Sequence, residues 1–421
     1  MPKRQRWTPV SGTGNRVYET RERWLLAALD LPGKAVAAVH EQVCGFFGKP
    51  TTRRLSHDAI REVLVLRLDR IGDVLMSLPA LHALRAALPD ARIRLAVGEW
   101  AEPIARRAPV DEVLVWSAPW AGRARDGVTG IAALWRAARA LSKTPLDLAI
   151  DLQGDVRASL LMWISGARMR VGYGNTGGAY WLTQIVALNE RVSWLEQNRL
   201  AIETGLGLEL GPATPTPSAA TSADHAGAEQ LLRELGLEDK LVVGIHPSGG
   251  RPVKQWPISR WIAVARTLAG AANAHFVVTG SDADRPLAGA LVDALGTRAH
   301  DLSGRLSLLE SLGLISRLGL FLSPDTGPMH MACAVGTPSV SVFGPSDPQR
   351  YFSGGDGAPG KRHVVVRADL WCSPCNLIRR PPEECSAGEA PECLLGVSAD
   401  DVAKAALGVL RSTGQIPAEN P

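Results

Sequence analysis

The chain has 421 residues, 46% hydrophobic and 21% charged, with a formal net charge of +4. That length exceeds one ordinary hydrophobic core and the composition is that of a folded protein, so a single small domain and a disordered chain are both excluded. Six cysteines do not make a secreted disulfide scaffold, and no run reaches the ~18 apolar residues a spanning helix needs.

The basic start Met1-Pro2-Lys3-Arg4-Gln5-Arg6 is followed by no signal-peptide apolar core, so a cytoplasmic protein is expected. Residues 1–57 carry ten Lys/Arg against four Asp/Glu, a local +6 that leaves −2 for the remainder. Such an extension is either a solvated tail or a contact for an anionic surface, membrane headgroups or nucleic acid. Within it, 21–30 and 35–47 read as two amphipathic helices. Their apolar positions, Trp24, Leu25, Leu29, Val36, Val39, Val43 and Phe46, could face a membrane or pack on their own domain.

From Glu62 onward, strand and helix patterns alternate. Apolar runs at 63–66, 93–97, 113–116 and 146–152 read as strands, with helices at 79–88 and 131–141. Pro79 fits the first turn of its helix. A Pro/Thr/Ser/Ala stretch within 211–225 has no apolar periodicity and reads as a linker. Beyond it come strands at 241–245, 275–279, 318–322 and 339–343, and helices at 258–268, 287–295 and 306–317. The expected architecture is α/β: two Rossmann-like doubly wound domains, 58–210 and 226–400, facing across a cleft, then a helix and tail at 401–421.

The chemistry-bearing residues cluster where strands hand over to helices. Asp73, after Gly72, is either a helix N-cap or a base for a hydroxyl proton. In the loop His246-Pro247-Ser248-Gly249-Gly250, Ser248 and Gly249 let backbone N–H groups approach a diphosphate, although no P-loop spacing follows. Lys254 is one of only eight lysines among 46 basic residues, and sits in an apolar, small-residue loop. Asp282 and Asp284 follow the next strand and are placed either to bond a ribose or simply to lie in a surface turn. Asp325, Thr326 and Gly327 open an Ala-rich helix whose free N–H groups attract anions. His330 falls one turn further on, as a supporting rather than reacting group.

Gly72-Asp73-Val74-Leu75-Met76-Ser77-Leu78-Pro79, Lys254-Gln255-Trp256-Pro257 and Asp325-Thr326-Gly327-Pro328-Met329-His330, in this order, closely resemble the pattern of glycosyltransferase family 9. That family includes the bacterial ADP-heptose:lipopolysaccharide heptosyltransferases, and the resemblance spans roughly 61–400. It implies a GT-B fold, with the acceptor on the first domain and the nucleotide-sugar on the second. It also implies metal-free, inverting transfer of a sugar, heptose from ADP-heptose, to a lipopolysaccharide-core or similar glycan acceptor. Asp73 would be the catalytic base, Lys254 a contact of the donor diphosphate, and Asp284 the preferred ribose partner. No cofactor and no nucleic-acid partner are expected. A same-family transferase with another donor and acceptor remains an alternative, as does a catalytically silent nucleotide-sugar binder or scaffold. Asp73 and Lys254 together argue against the silent binder. A dinucleotide oxidoreductase is disfavoured by Asp69-Arg70-Ile71-Gly72-Asp73 where Gly-x-Gly-x-x-Gly would stand.

Two questions of metal binding stay open. Asp282-Ala283-Asp284 has metal-site spacing, but two oxygen donors make a poor cage, and no catalytic metal is expected. Cys372, Cys375, Cys385 and Cys393 lie within 22 residues. They could be structural thiols, a local disulfide or a tetrahedral zinc set, the last weakened by the long second spacing. Cys44 and Cys333 read as buried apolar residues.

Overall fold

A computed structural model describes residues 55–116, 139, 141, 144–175, 177–211, 219–355, 357–358, 360–379, 381–385 and 388–418. The amphipathic pair expected within 1–57, nearly all of the helix expected at 131–141, and 212–218 of the linker lie outside these residues. The chain divides into two units, Met1–Thr214 and Pro215–Pro421.

In the first unit, β1 (Glu62–Arg67) holds Val63, Leu64, Val65 and Leu66 buried, as a strand covered on both faces requires. Around it, β2 (Arg92–Val97), β3 (Glu112–Val115), β4 (Leu148–Asp151), β5 (Met169–Gly172) and β6 (Gln184–Ile185) form a parallel sheet in the order 3-2-1-4-5-6. This is the Rossmann order, with its switch point between β1 and β4. The helix after β1, α1 (Ile71–Ala87), begins eight residues before Pro79, so the proline lies in its interior and not in its first turn. An interior proline removes one backbone bond. Here the loss is outweighed by packing, since Val74, Leu75, Met76, Leu78 and Leu81 are all buried. Further helices are α2 (Glu102–Ala105), α3 (Val156–Ile164) and α4 (Trp194–Leu206).

The second unit starts with α5 (Ser222–Glu234), whose first residues fall inside the expected linker. Thr221 caps it reciprocally with Asp224, which explains why helix begins there despite the polar sequence. Its sheet is again parallel throughout, in the order β12-β11-β10-β7-β8-β9. The strands are β7 (Val242–Ile245), β8 (His275–Val278), β9 (Ala299–Asp301), β10 (Leu320–Pro324), β11 (Ser339–Phe343) and β12 (His363–Arg367). Counted from β7, this repeats the Rossmann order, and the switch point lies between β7 and β10. The helices between them are α6 (Ile258–Ala272), α7 (Arg285–Leu295), α8 (Leu308–Ser316), α9 (Gly327–Val335) and α10 (Pro348–Tyr351). The chain ends with α11 (Glu392–Leu395) and α12 (Ala399–Ser412). Val402, Ala406, Val409 and Leu410 of α12 join Trp256, Trp261 and Val264 in one core. Among the described residues, no helix is long and apolar enough to cross a membrane.

Candidate functional site

In the first unit Asp73 lies past β1, and in the second Ser248, Gly249, Lys254, Asp325, Thr326 and Gly327 collect past the carboxyl ends of β7 and β10, the strands that flank the switch point, with Asp282 and Asp284 past β8. Asp73 lies in the first turn of α1, where its Oδ2 accepts from Arg70 N–H at 3.1 Å. The expected N-cap position falls instead to Arg70: Asp73 stands at N3 and closes the cap from there, with Oδ1 3.6 Å from Arg67 Nη2. Ser77 and Asn198 brace this turn: Ser77 Oγ donates to Asp73 O at 2.8 Å and Asn198 Nδ2 to Met76 O at 3.1 Å.

Three residues of this cluster escaped the sequence reading: Arg67, Asp69 and Asp151. Asp151, the last residue of β4, is fully buried and accepts from the N–H groups of Gln153, Gly154 and Asp155 at 2.9–3.1 Å. Burial pushes its carboxyl up to about 7 against the pull of those donors. The available signal was the charge itself, since Arg67 and Asp151 each close an otherwise apolar run.

In the second unit, Lys254 Nζ meets Asp325 Oδ2 at 2.8 Å, with both side chains about nine-tenths buried. The pair ties the loop after β7 to the loop after β10. Burial acts to raise the Asp325 carboxyl, but the Lys254 ammonium beside it holds it below the usual carboxylate range. Thr326 is the N-cap of α9, so the free N–H groups of that helix open beside the pair. A Cβ on Gly327 would meet nothing within 4 Å, so this turn faces open space. Gly249 is the opposite case. A Cβ there would lie 2.3 Å from the Lys254 carbonyl, so only glycine lets the two loop strands approach this closely. Gln255, also missed, fastens the loop by accepting from Gly249 N–H at 2.9 Å and donating to Pro247 O at 2.8 Å. Ser248 is buried in the same loop.

Asp284 lies at the end of β8's loop and accepts from Ser281 N–H and Oγ at 2.8 and 2.7 Å. Burial acts to raise its carboxyl, but bonds from Ser281 and Ser248 and nearby His246 hold it low. It thus belongs electrostatically to the Ser248 loop, whereas Asp282 is exposed and pairs with Arg285 at 2.8 Å. Burial pushes His246 down to about 4, so it is a neutral imidazole at pH 7, 3.3 Å from Thr279 Oγ1. His330 is buried and 3.0 Å from Ser353 Oγ, and it contributes to the field at Asp325.

Cys333, Cys372, Cys375, Cys385 and Cys393 are free thiols, and Cys44 lies outside the described residues. Burial, then the neighbouring thiols, pushes Cys393 up to about 12 and Cys385 in the same direction. Among the described residues, no group of three or more His, Cys, Asp or Glu is placed to hold a metal ion.

Two doubly wound units with this strand order, each gathering its polar groups at the switch point, have the architecture of GT-B glycosyltransferases. The family model for glycosyltransferase family 9 (heptosyltransferase) matches residues 134–384, and the chain belongs to that family. It is 24% identical over 301 residues to the lipopolysaccharide core heptosyltransferase OpsX of Haemophilus influenzae, covering 70% of this chain and 82% of the relative. It is 27% identical over 322 residues to lipopolysaccharide heptosyltransferase 1 of Escherichia coli, covering 73% and 93%. In fold it resembles the family 9 glycosyltransferase of Veillonella parvula, with a TM-score of 0.68 at 22% identity, covering 86% of this chain and 99% of that one. It also resembles the E. coli heptosyltransferase WaaC solved with ADP, with a TM-score of 0.60 at 22% identity, covering 82% and 98%.

Proposed function

We propose that the chain transfers a heptose from ADP-heptose to a lipopolysaccharide-core or similar glycan acceptor, with inversion at the anomeric carbon. The observation that carries this reading is the buried Lys254–Asp325 pair beside the N-terminus of α9. It fixes an ammonium beside the start of a helix, where a diphosphate can approach backbone N–H groups, with Ser248, Gly249, Thr326 and Gly327 lining that approach. The acceptor hydroxyl attacks the anomeric carbon while the bond to the diphosphate oxygen breaks on the opposite face. Asp73 takes the hydroxyl proton. Lys254 and the start of α9 offset the charge that grows on departing ADP, so the step proceeds without a metal. Asp284 accepts from the ribose, and His330 supports Asp325 from behind. The names of the relatives, lipopolysaccharide heptosyltransferases, support the choice of donor and acceptor. Such work would take place in the cytoplasm, with residues 1–57 resting on the anionic inner-membrane surface.

The test is thermal stabilisation by ADP, UDP, GDP and NAD side by side, followed by transfer from ADP-heptose to a core-oligosaccharide acceptor. Selective stabilisation by ADP and turnover insensitive to EDTA are expected. Asp73→Asn should keep ADP binding and lose turnover by ~10²-fold or more. Stabilisation by NAD alone, or no transfer of heptose by a protein that binds ADP, would refute the proposal.

A further inference from the structure

Arg67 has no part in the reaction just described, yet it is only 1% exposed. Its guanidinium turns back beneath the loop that follows β1. Nη1 donates to Leu152 O just past β4, and Nε to Asp73 O at 3.2 Å. Trp194 of α4 covers one side, its ring centroid 5.9 Å from the guanidinium carbon. A strand end, a helix start and an indole thus fix the group in place. Two carboxylates also face the guanidinium: Nη2 lies 3.6 Å from Asp73 Oδ1, and the same Nε 3.2 Å from Asp69 Oδ1. Asp69 Oδ1 is buried and has no aligned hydrogen-bond donor. Nε carries a single hydrogen, already donated to Asp73 O, so it cannot also satisfy Asp69 Oδ1 without giving up its hold on the Asp73 turn.

We infer that Arg67 is the positioning residue of the Asp73 base, and that Asp69 competes with Asp73 for its guanidinium. The inference rests on the reading of Asp73 as that base. Asp73 is clamped between the Arg70 N–H on Oδ2 and Arg67 near Oδ1, which fixes the direction left for an acceptor hydroxyl. An ionised Asp69 draws on the same fork and loosens that clamp; a protonated Asp69 does not. The charged groups facing Asp69 are Arg67 of β1, Asp73 of α1 and Asp151 of β4, while Trp100 donates Nε1–H to its backbone carbonyl at 2.6 Å. Burial pushes the Asp69 carboxyl up to about 7, with Arg67 opposing and both other aspartates adding to the rise. The competition therefore switches on as pH rises through neutrality.

The experiment measures kcat and donor KM from about pH 5.5 to about 8.5, using ADP-heptose and a core-oligosaccharide acceptor. It compares the wild type with Arg67→Lys, Asp69→Asn, the double variant and Asp73→Asn. Wild-type kcat should fall several-fold above neutrality, while Asp69→Asn should hold level across that range. Arg67→Lys should lower kcat by roughly tenfold, the scale of a misplaced catalytic group, with donor KM unchanged. The double variant should recover most of that loss, because a single ammonium then serves one carboxylate. A wild-type pH profile in Asp69→Asn, or no recovery in the double variant, overturns the inference. If Arg67→Lys fails to fold, the Asp69→Asn profile alone decides. Normal turnover in Asp73→Asn would remove the base reading itself. An inactive Asp73→Asn beside wild-type behaviour in the Arg67 and Asp69 variants would keep the base and discard the inference.

Discussion

Lys254→Ala separates two effects that the Lys254–Asp325 pair combines. Both side chains are about nine-tenths buried at 2.8 Å, so removing the ammonium strands a poorly hydrated carboxylate. Breaking such a pair costs about 3–5 kcal/mol. The lower end applies here, because His330 still faces Asp325 and water can enter the vacated volume. For a unit the size of Pro215–Pro421, each kcal/mol moves Tm by about 2–4 °C, so the loss is roughly 6–12 °C in that unit's transition. The second effect is on ADP. One charge-assisted hydrogen bond from the ammonium contributes about 1.5–3 kcal/mol, which weakens binding by roughly 10- to 150-fold when lost. Scanning calorimetry reads the first quantity, and titration calorimetry well below the variant's Tm reads the second. A lowered Tm with unchanged ADP affinity would show that Lys254 only holds the loops together. An unchanged Tm would refute the burial argument itself.

Gly249→Ala should mimic part of this damage, because its methyl would enter the Lys254 carbonyl at 2.3 Å. Overpacking of that kind costs about 1–3 kcal/mol, and weaker ADP binding in titration calorimetry with Lys254 still present would report the displaced loop. Asp325 titrates below its ordinary 3.8 in the folded chain. Its contribution to stability is therefore complete above that value and lost as pH falls through the folded one; in Lys254→Ala melts that acid-side loss should shrink or reverse, because burial no longer opposed by the ammonium raises the folded carboxyl. Deleting residues 1–55 should reduce co-sedimentation with anionic vesicles and activity on membrane-embedded acceptor, while activity on soluble acceptor survives. A truncated protein with a lower Tm and unchanged vesicle binding would mean that the segment packs on its own domain.

The central strands were legible because β1, β7 and β10 are buried on both faces and read as near-continuous apolar runs, and β11 alternates serine with valine before phenylalanine. Of the edge strands, β3 was read at 113–116, but β6, β9 and β12 were not. β6 has two residues, and β9 is Ala-His-Asp; neither has a periodicity to detect, and both exist because a neighbouring strand supplies their partners. The start of α1 was misjudged because Pro79 resembles a helix opening, whereas the buried face of residues 74–81 decides where the helix runs. Lys254 and Asp325 were each visible as single residues, and strand order makes them a pair. Arg67 and Asp69 were hidden for the same reason, since their meaning depends on β4 and α4 closing over them.

The central strand of each sheet also completes its pairing late during synthesis. Val63 pairs with Ile93 on one side, but its other partner is Leu148; Val243 likewise pairs with Phe276 before Leu320 exists. While the ribosome makes the intervening chain, β1 and then β7 each present a bare, apolar edge to solvent. Nascent chains stalled just before β4 or β10 should accordingly be caught by chaperones that bind extended apolar segments. Release should come only once the fourth strand has left the exit tunnel and docked beside the first.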